Sequence, residues 1–294
     1  MINIALMRST ATRVKAHYWP LIKFRQTLLL TLTGVAGYLS RSPILNWINF
    51  PGLIGTLLLT ISGCTILNMV FDRDLDSKMV RTSRRPLVVG SVKPGTASIL
   101  GISLISIGLL WAMALSWLYC LLIFAGVVLD VLVYTFWLKR RSAWSILWGG
   151  FSGGMPILAG SALAVGRVDL IGWLLCLAIV SWIPSHNLTL GTLFSEDFQK
   201  AGVPSFFNVY GFTATHFVVV FSSVVTVLLM GWAFGLLNYS ILVLTILMVG
   251  GLGFQGMTIY IWVRPSRQAV ISLYKYSSIY MLFAMLLLSL VSVI

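Results

Sequence analysis

The chain has 294 residues, of which 59% are hydrophobic and 9% are charged, and its mean hydropathy is +0.97. This composition excludes a soluble globular protein. The apolar runs are long and continuous, so they predict an all-α protein that spans the membrane several times rather than a barrel of alternating strands. The net charge of +13 does not indicate nucleic-acid binding, because the positive residues follow the membrane topology described below.

Nine apolar segments of spanning length follow a basic segment at residues 1–20. We therefore expect one membrane domain, residues 1–294, with nine transmembrane helices. The predicted segments are Leu21–Leu39, Pro51–Phe71, Thr96–Leu115, Trp117–Leu138, Trp144–Val165, Leu170–Leu190, Phe212–Phe234, Tyr239–Val263 and Ile271–Val293.

The positive residues are distributed unevenly between the two sides of these segments. Of the 20 lysines and arginines, all but Arg41 and Arg167 lie before or at the start of segment one or follow an even-numbered segment. Because positive residues are retained on the cytoplasmic side, we expect the N-terminus inside and the C-terminus outside. The expected location is the cell (plasma or inner) membrane, as a multi-pass protein.

The end of segment two carries an amide and two carboxylates. Asn68, Asp72 and Asp76 recur every four residues, so they share one face of a helix. An aspartate costs about 2.5–3.5 kcal/mol at mid-membrane and less near the interface, so a compensating cation is expected. Oxygen ligands of this kind suit Mg²⁺, which often shares its shell with a substrate phosphate. The plain alternative is a solvated helix end.

Basic residues follow these acids directly, and their donors match phosphate oxygens. They are Lys78, Arg81, Arg84 and Arg85. They are also the residues that the positive-inside rule alone would place there, so an anchoring role is the alternative.

A second acidic pair, Glu196 and Asp197, follows segment six. Segments two and six both end on the predicted cytoplasmic side, so the two acidic groups are expected to meet there as a carboxylate cage for two divalent ions and a diphosphate. The alternative is an ordinary surface pair, since an acidic pair before a loop that contains glycine and proline is common. Of the two acids, Asp197 is the stronger candidate. Pro184 can kink or break segment six. If the helix continues, His186 and Asp197 lie on one face.

A third polar stretch ends segment four. Lys139 and Arg140 are candidates for binding the remaining diphosphate oxygens, and Tyr134 can donate a hydrogen bond or stabilise a cation with its ring. Asp130 lies inside this segment and is expected to face a cavity or to hydrogen-bond another helix.

The first acidic motif and the arginines behind it resemble the corresponding motif of the UbiA-type intramembrane prenyltransferases. The matching residues are Asn68, Asp72, Arg73, Asp74, Asp76, Met79, Arg81, Thr82, Arg85, Pro86 and Leu87. Further resemblance is seen at 134–169, 196–204 and 273–277, and it covers the chain from Lys23 to about Phe283. The chain departs from the family pattern at Phe24, where a proline is usual, and after His186, where an aromatic pair is missing.

The resemblance implies a UbiA-type helical bundle with a central cavity open to the cytoplasmic side. It implies Mg²⁺ as cofactor and a polyprenyl diphosphate, farnesyl or geranylgeranyl, as donor. Within the family the chain most resembles the branch that prenylates protoheme IX, which implies a haem B acceptor alkylated at a vinyl group. By this resemblance, the catalytic residues are Asn68, Asp72, Asp76 and Asp197, and the metal ligands are these four with Glu196. The diphosphate is expected to be bound by Lys23, Arg81, Arg85, Lys139 and Arg140. Beside the resemblance, we expect Tyr134 to contact the cation and His186 to contact the acceptor, through haem iron or a propionate.

Three other functions remain open on the residues alone. A related enzyme of the family could prenylate an aromatic quinone precursor such as 4-hydroxybenzoate. A transporter or channel could use the same acids, although both acidic groups lie on one predicted side of the membrane. A haem-binding scaffold without catalysis is the third.

Overall fold

The computed structural model describes residues 18–42 and 46–290. Within these ranges the chain is helical and has no strand, as the composition predicts. Most of the predicted basic segment 1–20, including Arg8, Arg13 and Lys15, lies outside the described residues, and so do the last residues of predicted segment nine.

A short 3-10 helix, Trp19–Ile22, precedes eleven α-helices and one π-helix. The helices are α1 (Phe24–Leu39), α2 (Asn49–Phe71), α3 (Arg73–Lys78), α4 (Pro94–Leu115), α5 (Trp117–Val127), the π-helix (Val128–Leu138) that continues α5, α6 (Ser145–Val165), α7 (Leu170–Leu193), α8 (Ser195–Ala201), α9 (Phe206–Leu236), α10 (Ile241–Val263) and α11 (Arg267–Leu290).

Eight helices in the described part of the chain are long and apolar enough to cross a membrane. They are α2, α4, α5 with the π-helix, α6, α7, α9, α10 and α11, so the prediction of a polytopic all-α membrane protein is confirmed. Helix α1 has only 16 residues. At 1.5 Å per residue it is about 24 Å long, against a hydrocarbon core of about 30 Å. Predicted segment one is thus the 3-10 helix and α1, joined at Lys23 in the left-handed conformation (φ 43°).

Pro184 does not end the helix that contains it. Helix α7 continues to Leu193, and Phe194, with φ −116° and ψ 25°, separates it from α8. His186 and Asp197 therefore belong to different helices, so the continuous helix on which they were expected to share a face does not form.

Helices α1 and α6 cross at backbone contact. A Cβ atom on Gly160 would lie 2.0 Å from the carbonyl oxygen of Gly34, and one on Gly37 would lie 2.2 Å from that of Ile157. Only glycine permits such a close approach. This contact fixes α1 against the centre of the bundle, with Lys23 at one end of the helix and Arg41 just beyond the other.

Candidate active site

The first acidic motif lies where α2 gives way to α3. Asp72 has φ −88° and ψ 0°, which interrupts the helix. The amide of Asp72 still donates to the Asn68 carbonyl at 2.9 Å, and that of Asp76 to the Asp72 carbonyl at 2.8 Å. The helical spacing predicted for the three residues is therefore kept across the break. Asp72 is 5% exposed and Asp76 is 4% exposed, so both carboxylates are buried.

Each buried carboxylate is paired with a cation from another part of the chain. Lys139 donates to Asp72, and Arg85 Nη1 donates to Asp76 Oδ2 at 2.6 Å. The Lys139 ammonium also lies 5.8 Å from the centre of the Tyr134 ring. Burial lowers the pKa of Lys139, but the effects of Tyr134 and Asp72 outweigh it, and the pKa lies above its ordinary value. Lys139 therefore stays charged at neutral pH.

Among the described residues, one carboxylate oxygen of this group has no hydrogen-bond partner. It is Asp72 Oδ1, which is buried. A buried carboxylate oxygen without a hydrogen-bond partner destabilises the protein unless a ligand binds to it. Carboxylate oxygens are the ligands that hard cations such as Mg²⁺ prefer. The residues therefore fit a divalent metal, although nowhere in 18–42 and 46–290 are three His, Cys, Asp or Glu side chains already grouped as a metal site.

The second acidic pair lies at the same end of the bundle as the first. Helices α3 and α8 pack through a small apolar cluster formed by Leu75, Met79, Ala201 and Val203 with Phe198. Asp197 Oδ2 accepts a weak hydrogen bond, 3.4 Å long, from the backbone amide of Arg81. Asp76 and Asp197 are both within electrostatic range of the Arg81 guanidinium, which lies 5.2 Å from the Phe194 ring centre. Glu196 is exposed, and its side chain forms no ion pair with the described residues.

The remaining candidate cations divide between the centre and the rim of this group. Lys23 lies within electrostatic range of Asp72 and Asp130. Arg140 instead binds Asp74 through two hydrogen bonds of 2.7 and 2.6 Å. This interaction holds the pKa of Asp74 below its ordinary value. The structure therefore brings Lys23 and Lys139 to the buried acids and places Arg140 at the exposed edge.

The π-helix supplies a polar contact that the spacing of the motifs does not reveal. Asn68 Nδ2 donates to Asp130 Oδ2 at 2.9 Å, and Thr135 Oγ1 donates to Asn68 Oδ1 at 2.8 Å. The expectation that Asp130 hydrogen-bonds another helix is confirmed. The hydrogen bond from Thr135 was not predicted. In an α-helix, residues five positions apart such as Asp130 and Thr135 do not share a face, so the sequence gives no reason to pair them.

His186 is held between two aromatic rings. Its ring centre lies 4.5 Å from that of Trp182 and 4.4 Å from that of Tyr274, with both pairs stacked. Its Nδ1 lies 3.2 Å from Ser277 Oγ and 3.3 Å from Ser278 Oγ. Tyr274 is also within electrostatic range of Arg81, so this stack adjoins the acidic end of the bundle.

The opposite end of the bundle carries a separate ion pair. Arg41, after α1, binds Asp169, before α7. A cavity of about 560 Å³ at this end is lined by Tyr38, Trp47 and Ala164, among others, and is remote from the acidic motifs. We assign it no part in the chemistry.

The helical membrane bundle thus brings two acidic motifs and several cations together at one end, where they can bind a metal ion or an anionic group. Residues 27–287 match the UbiA prenyltransferase family, and the chain belongs to that family. It is 32% identical over 256 residues to a protoheme IX farnesyltransferase from Archaeoglobus fulgidus, covering 87% of this chain and 90% of the relative. It is 39% identical over 191 residues to one from Thermofilum pendens, covering 65% and 68%.

Solved structures show the same fold at low sequence identity. A structure described for digeranylgeranylglyceryl phosphate synthase matches with a TM-score of 0.80 at 18% identity, covering 96% of this chain and 99% of the other. A UbiA homologue from Archaeoglobus fulgidus bound to DMAPP and Mg²⁺ matches with a TM-score of 0.69 at 16% identity, covering 93% and 99%. The predicted family and the predicted bundle type are confirmed.

Proposed function

We propose that this protein transfers a polyprenyl group from its diphosphate to a vinyl group of protoheme IX, giving a haem of the haem O type. The observation that carries the proposal is the buried pair Asp72 and Asp76, each held by a cation and adjoining the His186 stack. The names of the relatives support the choice of acceptor, and the family supports prenyl transfer.

Mg²⁺ is the cofactor that these oxygens suit. Asn68, Asp72, Asp76 and Asp197 would hold it, with Glu196 at the exposed edge. The unpartnered Asp72 Oδ1 supports this assignment, and so does the Mg²⁺ bound in a structural neighbour. When bound, the metal would neutralise charge on the diphosphate and on the leaving group.

The cations of the site would bind the remaining diphosphate oxygens. Lys139 and Arg85 are now held by Asp72 and Asp76, so metal binding by those carboxylates would release their donors to the phosphate oxygens. Lys23 and Arg81 lie within electrostatic range of the same acids. Arg140 would contact the diphosphate only at the rim, after leaving Asp74.

These residues support an ionising transfer. The allylic C–O bond breaks and diphosphate leaves with the electron pair, stabilised by Lys139 and Arg85. The Tyr134 ring, beside Lys139, faces the same site and can stabilise the allylic cation. The π electrons of the vinyl group form the new C–C bond. Water then adds to the resulting cation and loses a proton, which leaves a hydroxyalkyl side chain.

The hydrogen bonds of His186 favour a contact to iron. Ser277 Oγ and Ser278 Oγ donate their single protons to the Tyr274 carbonyl at 2.9 and 2.8 Å. With those protons on the Tyr274 carbonyl, the two hydroxyl oxygens accept from His186 Nδ1, which favours the tautomer with the proton on Nδ1 and a lone pair on Nε2. Nε2 makes no hydrogen bond within the described residues. A lone pair suits haem iron, whereas a propionate would need an N–H donor.

We further propose nine membrane crossings in a single domain, with the N-terminus and the active site on the cytoplasmic side of the cell membrane. Helix α1 supports the ninth crossing. It extends from Lys23, near Asp72, to Arg41, which binds Asp169 at the opposite end of the bundle. The central cavity would open at the Asp72 end.

The test is mass analysis of the products after incubation of the purified protein with Mg²⁺, haem B and either farnesyl or geranylgeranyl diphosphate. We expect one prenyl group and one water added to haem, with release of diphosphate. Asp72→Ala should abolish both while leaving a folded protein. Unmodified haem together with a prenylated 4-hydroxybenzoate would refute the acceptor but not the family. Ion or substrate flux in proteoliposomes without diphosphate release would refute catalysis.

A further inference from the structure

We propose that Asp130 is a positioning residue, which orients the Asn68 amide so that its oxygen faces the metal and diphosphate. The inference rests on the proposed function, since it assumes that Asn68 is a metal ligand. Asp130 lies inside a membrane span, where an ionisable side chain is costly and usually functional. The proposed reaction assigns it no other part.

The direction of the amide follows from its two partners. Asn68 Nδ2 donates to Asp130 Oδ2 at 2.9 Å, so the side of Asn68 that faces Asp130 is the NH₂ group. The oxygen then faces Thr135 Oγ1, which donates to it at 2.8 Å. In the flipped orientation, the amide oxygen would face Asp130 Oδ2, and the hydrogen bond that Asn68 donates to Asp130 would be lost. Asp130 therefore selects the orientation of the Asn68 amide. Thr135 alone would not select it, because its hydroxyl can either donate or accept a hydrogen bond.

The π-helix makes this double contact possible. In an α-helix, residues five positions apart are about 140° apart around the axis. The Val128–Leu138 segment has i→i+5 hydrogen bonds, as shown by the Lys139 amide, which donates to the Tyr134 carbonyl at 2.9 Å. This spacing brings Asp130 and Thr135 to the same amide. π-helical segments often occur at functional sites.

The orientation leaves Asn68 Oδ1 with a second lone pair for a metal. Partners that orient a ligand typically change metal affinity by about 10–100-fold when they are removed. Replacing Asp130 with Asn supplies a group that can present either its oxygen or its NH₂, so the selection is lost. We expect the affinity for Mn²⁺, used in place of Mg²⁺, to fall by about 10-fold.

The experiment measures Mn²⁺ binding by electron paramagnetic resonance in the presence of inorganic diphosphate. It uses the wild type, Asp130→Asn, Asn68→Ala and the double variant. Because Asp130 acts through Asn68, Asp130→Asn should weaken Mn²⁺ binding when Asn68 is present. In the protein that already carries Asn68→Ala, Asp130→Asn should weaken it no further. The Mg²⁺ concentration for half-maximal turnover should follow the same pattern.

Two further variants keep the result interpretable. Asp169→Asn removes a carboxylate at the opposite end of the bundle and should leave Mn²⁺ affinity unchanged. Asp130→Glu keeps a carboxylate acceptor, so its Mn²⁺ affinity should lie between those of Asp130→Asn and the wild type. If Asp130→Asn folds poorly, the affinity of Asp130→Glu is compared with the wild type alone. Independent, multiplicative losses from Asp130→Asn and Asn68→Ala, or unchanged affinity in Asp130→Asn, would overturn the proposal. A wild type that binds no Mn²⁺ with diphosphate would instead refute the metal site itself.

Discussion

Replacing Arg85 with glutamine tests whether a metal and an arginine compete for the same buried carboxylate. The Arg85 side chain is 23% exposed and the Asp76 side chain is 6% exposed. Removing one partner of a buried ion pair costs about 3–5 kcal/mol, because the other charge stays buried and unpaired. Since solvent reaches part of Arg85, we expect the lower end of this range, about 3 kcal/mol. The variant should therefore be clearly less stable than the wild type when metals are removed.

The assay is thermal unfolding in detergent, with EDTA and then with saturating Mg²⁺. In EDTA, Arg85→Gln should unfold at a lower temperature than the wild type. Mg²⁺ should raise the unfolding temperature of the variant more than that of the wild type, because the metal supplies the positive charge that Asp76 has lost. The control is Arg84→Gln. Arg84 is exposed and forms no ion pair within the described residues, so this variant should behave like the wild type in both conditions.

Two outcomes would refute the reasoning. If Arg85→Gln unfolds at the wild-type temperature in EDTA, the ion pair does not stabilise the fold. If Mg²⁺ stabilises wild type and variant equally, the metal does not replace the arginine at Asp76. Neither result depends on finding the right acceptor, so the test of the metal site is independent of the test of activity.

Three other perturbations test separate parts of the structure. Gly160→Ala forces a Cβ to within 2.0 Å of a backbone oxygen and should destabilise by about 1–3 kcal/mol or more, measured by thermal unfolding, whereas Gly256→Ala, with open space around it, should not. His186→Ala should weaken binding of haem but not of metal-free protoporphyrin IX in a Soret-band titration, and His216→Ala should change neither; equal loss for both porphyrins would refute the iron contact. Above about pH 4, Asp74→Asn should be slightly less stable than the wild type. This difference should disappear as the pH falls through the lowered pKa of Asp74, and unfolding curves measured at several pH values would show it.

The central acids and their side of the bundle could be predicted from the sequence. Asn68, Asp72 and Asp76 are spaced by one helical turn, and that spacing holds across the break at Asp72 because the backbone hydrogen bonds continue. The meeting of this motif with Asp197 at one end follows from the charge asymmetry of the connections. Both predictions rest on regularities that depend little on side-chain packing.

The division of roles between neighbouring residues could not be predicted. Lys139 and Arg140 look equivalent in the sequence, yet one binds the buried Asp72 and the other the exposed Asp74. Which of them faces inward depends on the rotation of the π-helix, and no residue type marks that rotation. Predicted segment six ends at Leu190, close to the end of α7 at Leu193, but the resumption of helix directly after Phe194 could not be predicted, because neither glycine nor proline marks the break.

The π-helix has a consequence for how related chains are compared. A span wound with i→i+5 bonds holds more residues per turn than an ordinary one, so aligning it with an α-helical span of the same fold requires a gap within an uninterrupted apolar segment. In this family, such a gap would mark a relative in which the span equivalent to Trp117–Leu138 is α-helical. That span would not bring residues at the positions of Asp130 and Thr135 to the same amide, so the relative would orient that amide by other contacts.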